Sequence, residues 1–245
     1  MVSAAEPILD AVGVRKQFGA LAVLDGVDFS VGAGDAIGIV GPNGAGKTTL
    51  LNILSGALRP TSGTISFRGA DVTEQSAARR CRLGIGRAHQ VPRPFGDMTV
   101  FENVLVGAGA GAGLRGQRAY DRAIAVLETC DLVDRANRRA ESLGLLDRKR
   151  LELARALATD PQVLLLDEIG GGLTDAEADD LVRTVQQLRA GGVAIVWIEH
   201  IVHVLVQVVE RLVCLDAGRV LADGDPQTVM RDAAVIDAYL GRGAG

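Results

Sequence analysis

Aromatic side chains are scarce in this chain, with 1 Trp, 2 Tyr and 5 Phe among 245 residues, which argues against a surface that stacks nucleic-acid bases. An excess of basic charge is missing too. The 26 Lys and Arg stand against 30 Asp and Glu, so the broad attraction behind non-specific nucleic-acid binding is absent, and no DNA or RNA partner is expected. Cysteine is limited to Cys81, Cys130 and Cys214, odd in number, far apart and without CxxC spacing. That pattern gives neither a disulfide framework nor a zinc site; it suits a reducing compartment, with all three as core or surface thiols. No apolar run reaches the roughly 18 residues of a membrane span, because the strongest, from Val193 onward, is broken by Glu199, His200, His203 and Glu210. The start of the chain, MVSAAEPILDAVGV, carries acidic residues where an export signal would be basic and then apolar. The protein is therefore expected to stay inside the cell and to reach a membrane only through a partner.

What is present is small and aliphatic: 31 glycines and a hydrophobic fraction of 48%, in a length that suits one α/β domain spanning residues 1–245. The runs ILDAVGV, LAVLDGVDFSV and TISFRGADV, broken by Gly and Asp, predict a small antiparallel β-lobe over about residues 5–35 and 62–75. Ala36 to Val40 reads as a buried strand, and after a glycine-rich loop TTLLNILSGAL has helical spacing. Met98 to Gly107, Ala119 to Val133 and Leu151 to Ala158 are also helical in pattern and predict a helical subdomain over about residues 91–158. Within it, GAGAGAG at Gly107 to Gly113 is expected to be a flexible loop, since each interior glycine costs a helix about 1 kcal/mol relative to alanine. The candidate strands VLLLDE, VAIVWIE and RLVCLD alternate with helical stretches, which predicts a parallel α/β core.

The most informative segment is GPNGAGKTT, Gly41 to Thr49, lying between the predicted strand and helix. In Gly41-x4-Gly46-Lys47-Thr48, glycines let successive backbone N–H groups turn around a phosphate and the following helix presents its positive end. Lys47 would reach the terminal phosphates and Thr48 would ligate Mg²⁺. Gly41, Asn43, Gly44, Ala45, Gly46, Lys47, Thr48 and Thr49 are the candidate contacts to ATP. The chain has only three lysines, Lys16, Lys47 and Lys149, so a lysine at this spacing is not a product of composition. Asp167 and Glu168 end the apolar run VLLLDE, where carboxylates are costly unless they face a metal or substrate. Asp167 would hold Mg²⁺ through water and Glu168 would polarise the water attacking the γ-phosphate; the alternative is a pair that caps a strand end. His200 after VAIVWIE is ambiguous alone, as is Gln90, and His203 reads as structural.

GPNGAGKTT, Gln90, VLLLDE, GGLTD (Gly171 to Asp175) and IEH (Ile198 to His200) stand in the order and approximate spacing of an ABC-type ATPase, which the chain resembles over essentially its whole length. It resembles in particular the ATP-binding subunits of bacterial branched-chain (hydrophobic) amino acid uptake systems, through PFGDMTVFENVLVGA (Pro94 to Ala108), RLELARALATDP (Arg150 to Pro161) and VIDAYLG (Val235 to Gly241). The resemblance implies a P-loop NTPase (RecA-like) core with a β-lobe and helical insertion, ATP hydrolysis, and ATP with Mg²⁺ as ligands. It makes His200 the switch histidine at the γ-phosphate, Gln90 the Q-loop residue reaching Mg²⁺ and the attacking water, and Asp175 a residue near a dimer seam. Phe18 falls where the family places an aromatic ring against adenine, although it reads equally as β-lobe core.

Such cassettes work as head-to-tail dimers that close two ATP molecules between one subunit's loop and the other's LSGGQ-like signature. Here the signature window is Leu143-Gly144-Leu145-Leu146-Asp147, with Gly144 at the serine and Leu146 at the second glycine, and Ser142 as a substitute only if the loop shifts. Ile169 stands where proline often follows the catalytic glutamate. The implied partners are integral-membrane permease subunits, a second ATPase subunit and, indirectly, a periplasmic or extracellular solute-binding protein. The implied location is peripheral, on the cytoplasmic face of the inner membrane. Gln90 to Glu102 resembles the segment that docks a membrane subunit's cytoplasmic helix; its plain reading is a helix start with Thr99 as cap and Phe101 in core. The alternative function is a soluble, non-transport ATPase of the same type.

Overall fold

The computed structural model describes residues 6–240. Residues 1–5 of the leading segment and Gly241, the last residue of VIDAYLG, lie outside the described residues.

Two sheets organise the described residues. The strands are β1 (Leu9–Phe18), β2 (Leu21–Val31), β3 (Ala36–Val40), β4 (Ser62–Phe67), β5 (Ala70–Asp71), β6 (Ile85–Ala88), β7 (Val163–Asp167), β8 (Ala194–Ile198), β9 (Arg211–Asp216) and β10 (Arg219–Gly224). The smaller sheet has the order β2-β1-β4-β5, and each of its pairings is antiparallel. TISFRGADV, one run in the sequence, is split into β4 and β5 by Arg68 and Gly69, both at positive φ (53° and 76°), as a tight hairpin requires. The larger sheet has the order β10-β9-β3-β8-β7-β6. It is parallel from β9 to β6, but β10 pairs antiparallel with β9, so the expected parallel core carries an antiparallel edge.

The helices are α1 (Lys47–Leu54), α2 (Ala77–Leu83), α3 (Val100–Val106), α4 (Gln117–Thr129), α5 (Leu145–Ala158), α6 (Asp175–Ala190), α7 (Val202–Leu205), α8 (Pro226–Arg231) and α9 (Ala233–Leu240). Helix α1 is sandwiched between the sheets: its Leu50, Leu51, Ile53 and Leu54 share a core with Leu9, Val14 and Ile65 of the small sheet and with Ile37, Leu165, Val196 and Val213 of the large one. The opposite face of the large sheet, including Leu164, Leu166, Trp197 and Leu212, packs with Leu151, Leu157, Leu181 and Val185 of the helices. The period-2 alternation of each strand thus serves two cores at once.

The glycine run corrects the sequence expectation. Gly107–Gly111 is not a flexible loop; it continues α3 as one π-helical turn. A Cβ on Gly107 would lie 2.7 Å from the Arg155 carbonyl oxygen and 2.9 Å from the Ala158 Cβ, and one on Gly111 would lie 2.5 Å from Thr159 Cγ2. These glycines are small because α5 runs against them, and that packing outweighs their poor helix propensity.

Candidate functional site

The phosphate loop begins where β3 ends, and its glycines are required by close approach as well as by angle. Gly41 (φ 142°) lies against β9, so that a Cβ there would stand 2.1 Å from the Leu215 carbonyl oxygen. Gly46 (φ 104°) is the N-cap of α1 and faces Leu24 of the small sheet, where a Cβ would sit 2.6 Å from Leu24 Cδ2. Lys47 is buried and donates from Nζ to the carbonyls of Gly41 (2.7 Å) and Pro42 (3.1 Å). Burial lowers its pKa, against the pull of Glu168. The loop from Asn43 to Thr49 forms a cleft of about 190 Å³ with Val23 and Glu168. A basic side chain and a helix N-terminus beside such a cleft fit a polyphosphate.

Three segments meet on Glu168, which follows β7 in a left-handed conformation (φ 47°) held by its N–H donating to the Ile198 carbonyl at 2.8 Å. Gln90 donates its side-chain amide to one carboxylate oxygen of Glu168, and His200 Nε2 lies 2.9 Å from the other. The structure thus brings Gln90 and His200 onto Glu168, which lines the phosphate-loop cleft together with Lys47. The imidazole is half exposed, and His203 lies exposed on α7. Asp167 is buried: Arg87 on β6 binds Oδ2 at 2.8 Å, while Oδ1 has no hydrogen-bond partner among the described residues.

Several residues around this cluster escaped the sequence reading. Arg87 also donates to Asn52 Oδ1 (2.6 Å) and Ser55 Oγ (3.1 Å), tying β6 to α1. Lys149, buried on α5, donates to the carbonyls of Gln90 (2.7 Å) and Glu168 (3.3 Å). Glu199 accepts the Gly170 N–H at 2.6 Å, and burial pushes its carboxyl pKa up. Glu152 accepts from the backbone N–H groups of His89 and Arg93, fastening the segment around Gln90 to α5. The available signal was a charged residue inside an apolar run, as in IGRA and LELARAL.

Other predicted positions lie apart. Phe18 is not core: its ring is 51% exposed under the Lys16 ammonium, 5.1 Å from the centroid, and it does not line the phosphate cleft. Asp175 is exposed at the first turn of α6, after the capping box of Thr174 and Glu177. Gly144 is the N-cap of α5. Leu145 is 47% exposed, Asp147 is held by Arg135 (2.7 Å), and the Ser142 hydroxyl donates to the Arg139 carbonyl (2.7 Å). Thr99 caps α3 in a capping box with Glu102, and Phe101 is partly buried against Tyr120. Ile169 is core. Cys130 and Cys214 are buried, which pushes their thiols to about 12 and about 11. Among the described residues, no helix is long and apolar enough to cross a membrane.

The chain is similar to known proteins over nearly its whole length. The family model described as "ABC transporter" matches residues 24–170, and that described as "Branched-chain amino acid ATP-binding cassette transporter" matches residues 219–245. The chain is 36% identical over 251 residues to the high-affinity branched-chain amino acid transport ATP-binding protein LivG of Escherichia coli, covering 96% of this chain and 98% of LivG. It is 36% identical over 250 residues to the corresponding protein BraF of Pseudomonas aeruginosa, with 96% and 98% covered. Among solved structures it is similar to the ADP conformation of MJ1267, an ATP-binding cassette of an ABC transporter, with a TM-score of 0.88, 31% identity, and 97% of this chain and 100% of that one covered.

Proposed function

The chain belongs to the ABC transporter family of ATP-binding cassettes and is an ATPase of that family; on that premise we propose that it is the energy-coupling subunit of an importer for branched-chain amino acids or a related small solute. The observation that carries the solute class is the separate C-terminal match at residues 219–245, together with full-length similarity to LivG and BraF. The cluster on Glu168 supports the chemistry.

In this reading the amides from Asn43 to Thr49 and the Lys47 ammonium bind the β- and γ-phosphates, and Phe18 offers its exposed ring to adenine. The unpartnered buried Oδ1 of Asp167 and the exposed Thr48 hydroxyl fit a hard cation, with Gln90 as a further oxygen donor. Mg²⁺ held there with ATP would neutralise charge on the transferring phosphoryl group. Glu168 orients the attacking water and accepts its proton, while His200 and Gln90 fix the carboxylate and sense the γ-phosphate.

The signature face is the weak half. Gly144 has no hydroxyl, Leu145 and Leu146 are bulky, and Asp147 is engaged with Arg135 on its own side. We infer a pairing with a second, different ATPase subunit, docked through the Gln90 to Glu102 segment onto permease subunits at the cytoplasmic face of the inner membrane, with a solute-binding protein outside.

The test is reconstitution with the co-encoded permease subunits, partner ATPase and binding protein in liposomes. ATP-dependent leucine uptake is expected. Glu168→Gln should retain ATP binding and lose turnover and uptake, whereas Lys47→Ala should weaken binding itself. Normal turnover in Glu168→Gln removes it as the water-positioning residue, and a binding protein that ignores aliphatic amino acids overturns the solute class.

A further inference from the structure

The phosphate loop is tethered from the far end of the chain. The Gly218 N–H, between β9 and β10, donates to the Ala45 carbonyl at 3.1 Å, and the Gly41 N–H donates to the phenol oxygen of Tyr239 on α9 at 2.7 Å. Gly41 is buried and cannot shift toward β9, whose Leu215 carbonyl already closes that side. Its N–H therefore needs a partner where the loop begins, and a buried donor left alone is costly. Tyr239 is the side chain that supplies one. Nothing in the phosphate chemistry uses this hydroxyl, and α9 lies within the C-terminal stretch that matches a family model of its own.

We propose that α9 is an intramolecular clamp on the phosphate loop, with Tyr239 as a positioning residue whose hydroxyl fixes Gly41 and thereby sets nucleotide affinity. The proposal rests on the ATP-binding reading of the loop. Because the hydroxyl acts on the loop and not on the γ-phosphate, it strengthens ATP and ADP binding equally and leaves the hydrolytic step alone. Burial pushes the phenol pKa up, so the group stays neutral and able to accept throughout the physiological range.

Equilibrium titration of the full-length chain with fluorescent ATP and ADP analogues, together with a urea melt, tests this. Tyr239→Phe removes only the oxygen. It is expected to weaken both nucleotides by roughly five-fold, the equivalent of about 1 kcal/mol. The urea midpoint without nucleotide should fall modestly, as the loss of one buried hydrogen bond requires, and kcat of the reconstituted complex at saturating ATP should be retained. Unchanged affinity in Tyr239→Phe overturns the clamp, as does a fall in kcat without a fall in affinity. A wild-type chain that binds neither nucleotide overturns the ATP reading instead.

Discussion

Lys149 is one of three lysines in the chain, and it is buried at the point where α5, the segment around Gln90 and the end of β7 converge. Its ammonium fastens the backbone of Gln90 to that of Glu168, so it controls where both side chains start. Lys149→Met should lower turnover by about ten-fold or more, since hydrogen bonds to a charged group are each worth about 1.5–3 kcal/mol. Nucleotide affinity should stay within a few-fold, and Lys149→Arg should restore part of kcat; equal losses in both parameters would make the lysine merely structural. Glu199 gives a pH prediction. Its folded pKa lies above the unfolded value, so the stability it contributes is present at acid pH and is lost as pH rises through the folded pKa. Urea midpoints of wild type and Glu199→Gln should therefore shift in favour of the glutamine variant from acid to neutral pH. Glu168, Gln90 and His200 were legible because each sits in a motif of fixed order. Lys149 and Arg87 were not, because their partners are 59 and 80 residues away and include backbone carbonyls that any sequence provides.

At the scale of elements, the same contrast separates strands from glycines. The apolar runs at β3, β7, β8 and β9 announce themselves by composition, but GAGAGAG carries no sign that α5 packs on it. Two substitutions in that run should differ in sign. Gly107→Ala drives a methyl into the Arg155 carbonyl and should destabilise by about 1–3 kcal/mol. Gly109→Ala meets its nearest neighbour, the Leu114 carbonyl oxygen, at 3.9 Å and should be neutral or stabilising by up to about 1 kcal/mol through helix propensity. Thermal melts of the two variants side by side check this. The anchor of α1 was equally hidden. Arg80 on α2 is fully buried and donates to the carbonyls of Ile53 (2.7 Å), Leu54 (2.9 Å), Thr73 (3.0 Å) and Gln75 (3.2 Å), closing the C-terminal end of the phosphate-loop helix. Arg80→Met should cost roughly 3 kcal/mol in a urea melt, and lysine should not rescue it, because three donors on a point charge cannot reach four carbonyls spread around a planar fork.

For the whole molecule the open question is how much of a catalytic unit one chain makes. The phosphate-loop half is dense with tertiary support, whereas the signature half presents a glycine N-cap with exposed Leu145 beside it. Gly144 has extended backbone angles (φ −67°, ψ 174°), and a Cβ there meets no described residue within 4 Å, so Gly144→Ser should fold normally and gain a few tenths of a kcal/mol as an N-cap. If the two sites of the assembled pair are unequal, Gly144→Ser with Leu146→Gly should raise ATPase activity of the isolated chain. Activity of the unmodified chain equal to that of the full complex, with no gain in the double variant, would make the sites equivalent.

The position of Gly41 between Leu215 and Tyr239 also dictates an order of events during synthesis. The GPNGAGKTT segment leaves the ribosome early, but β3 acquires its neighbours β8 and β9 only from residues 194–216, and the clamp on Gly41 only at residue 239. Loop closure across so much chain is slow, so the nucleotide pocket is completed near the end of folding. A nascent chain released short of β9 would carry every residue of the phosphate motif and still lack the walls that shape it.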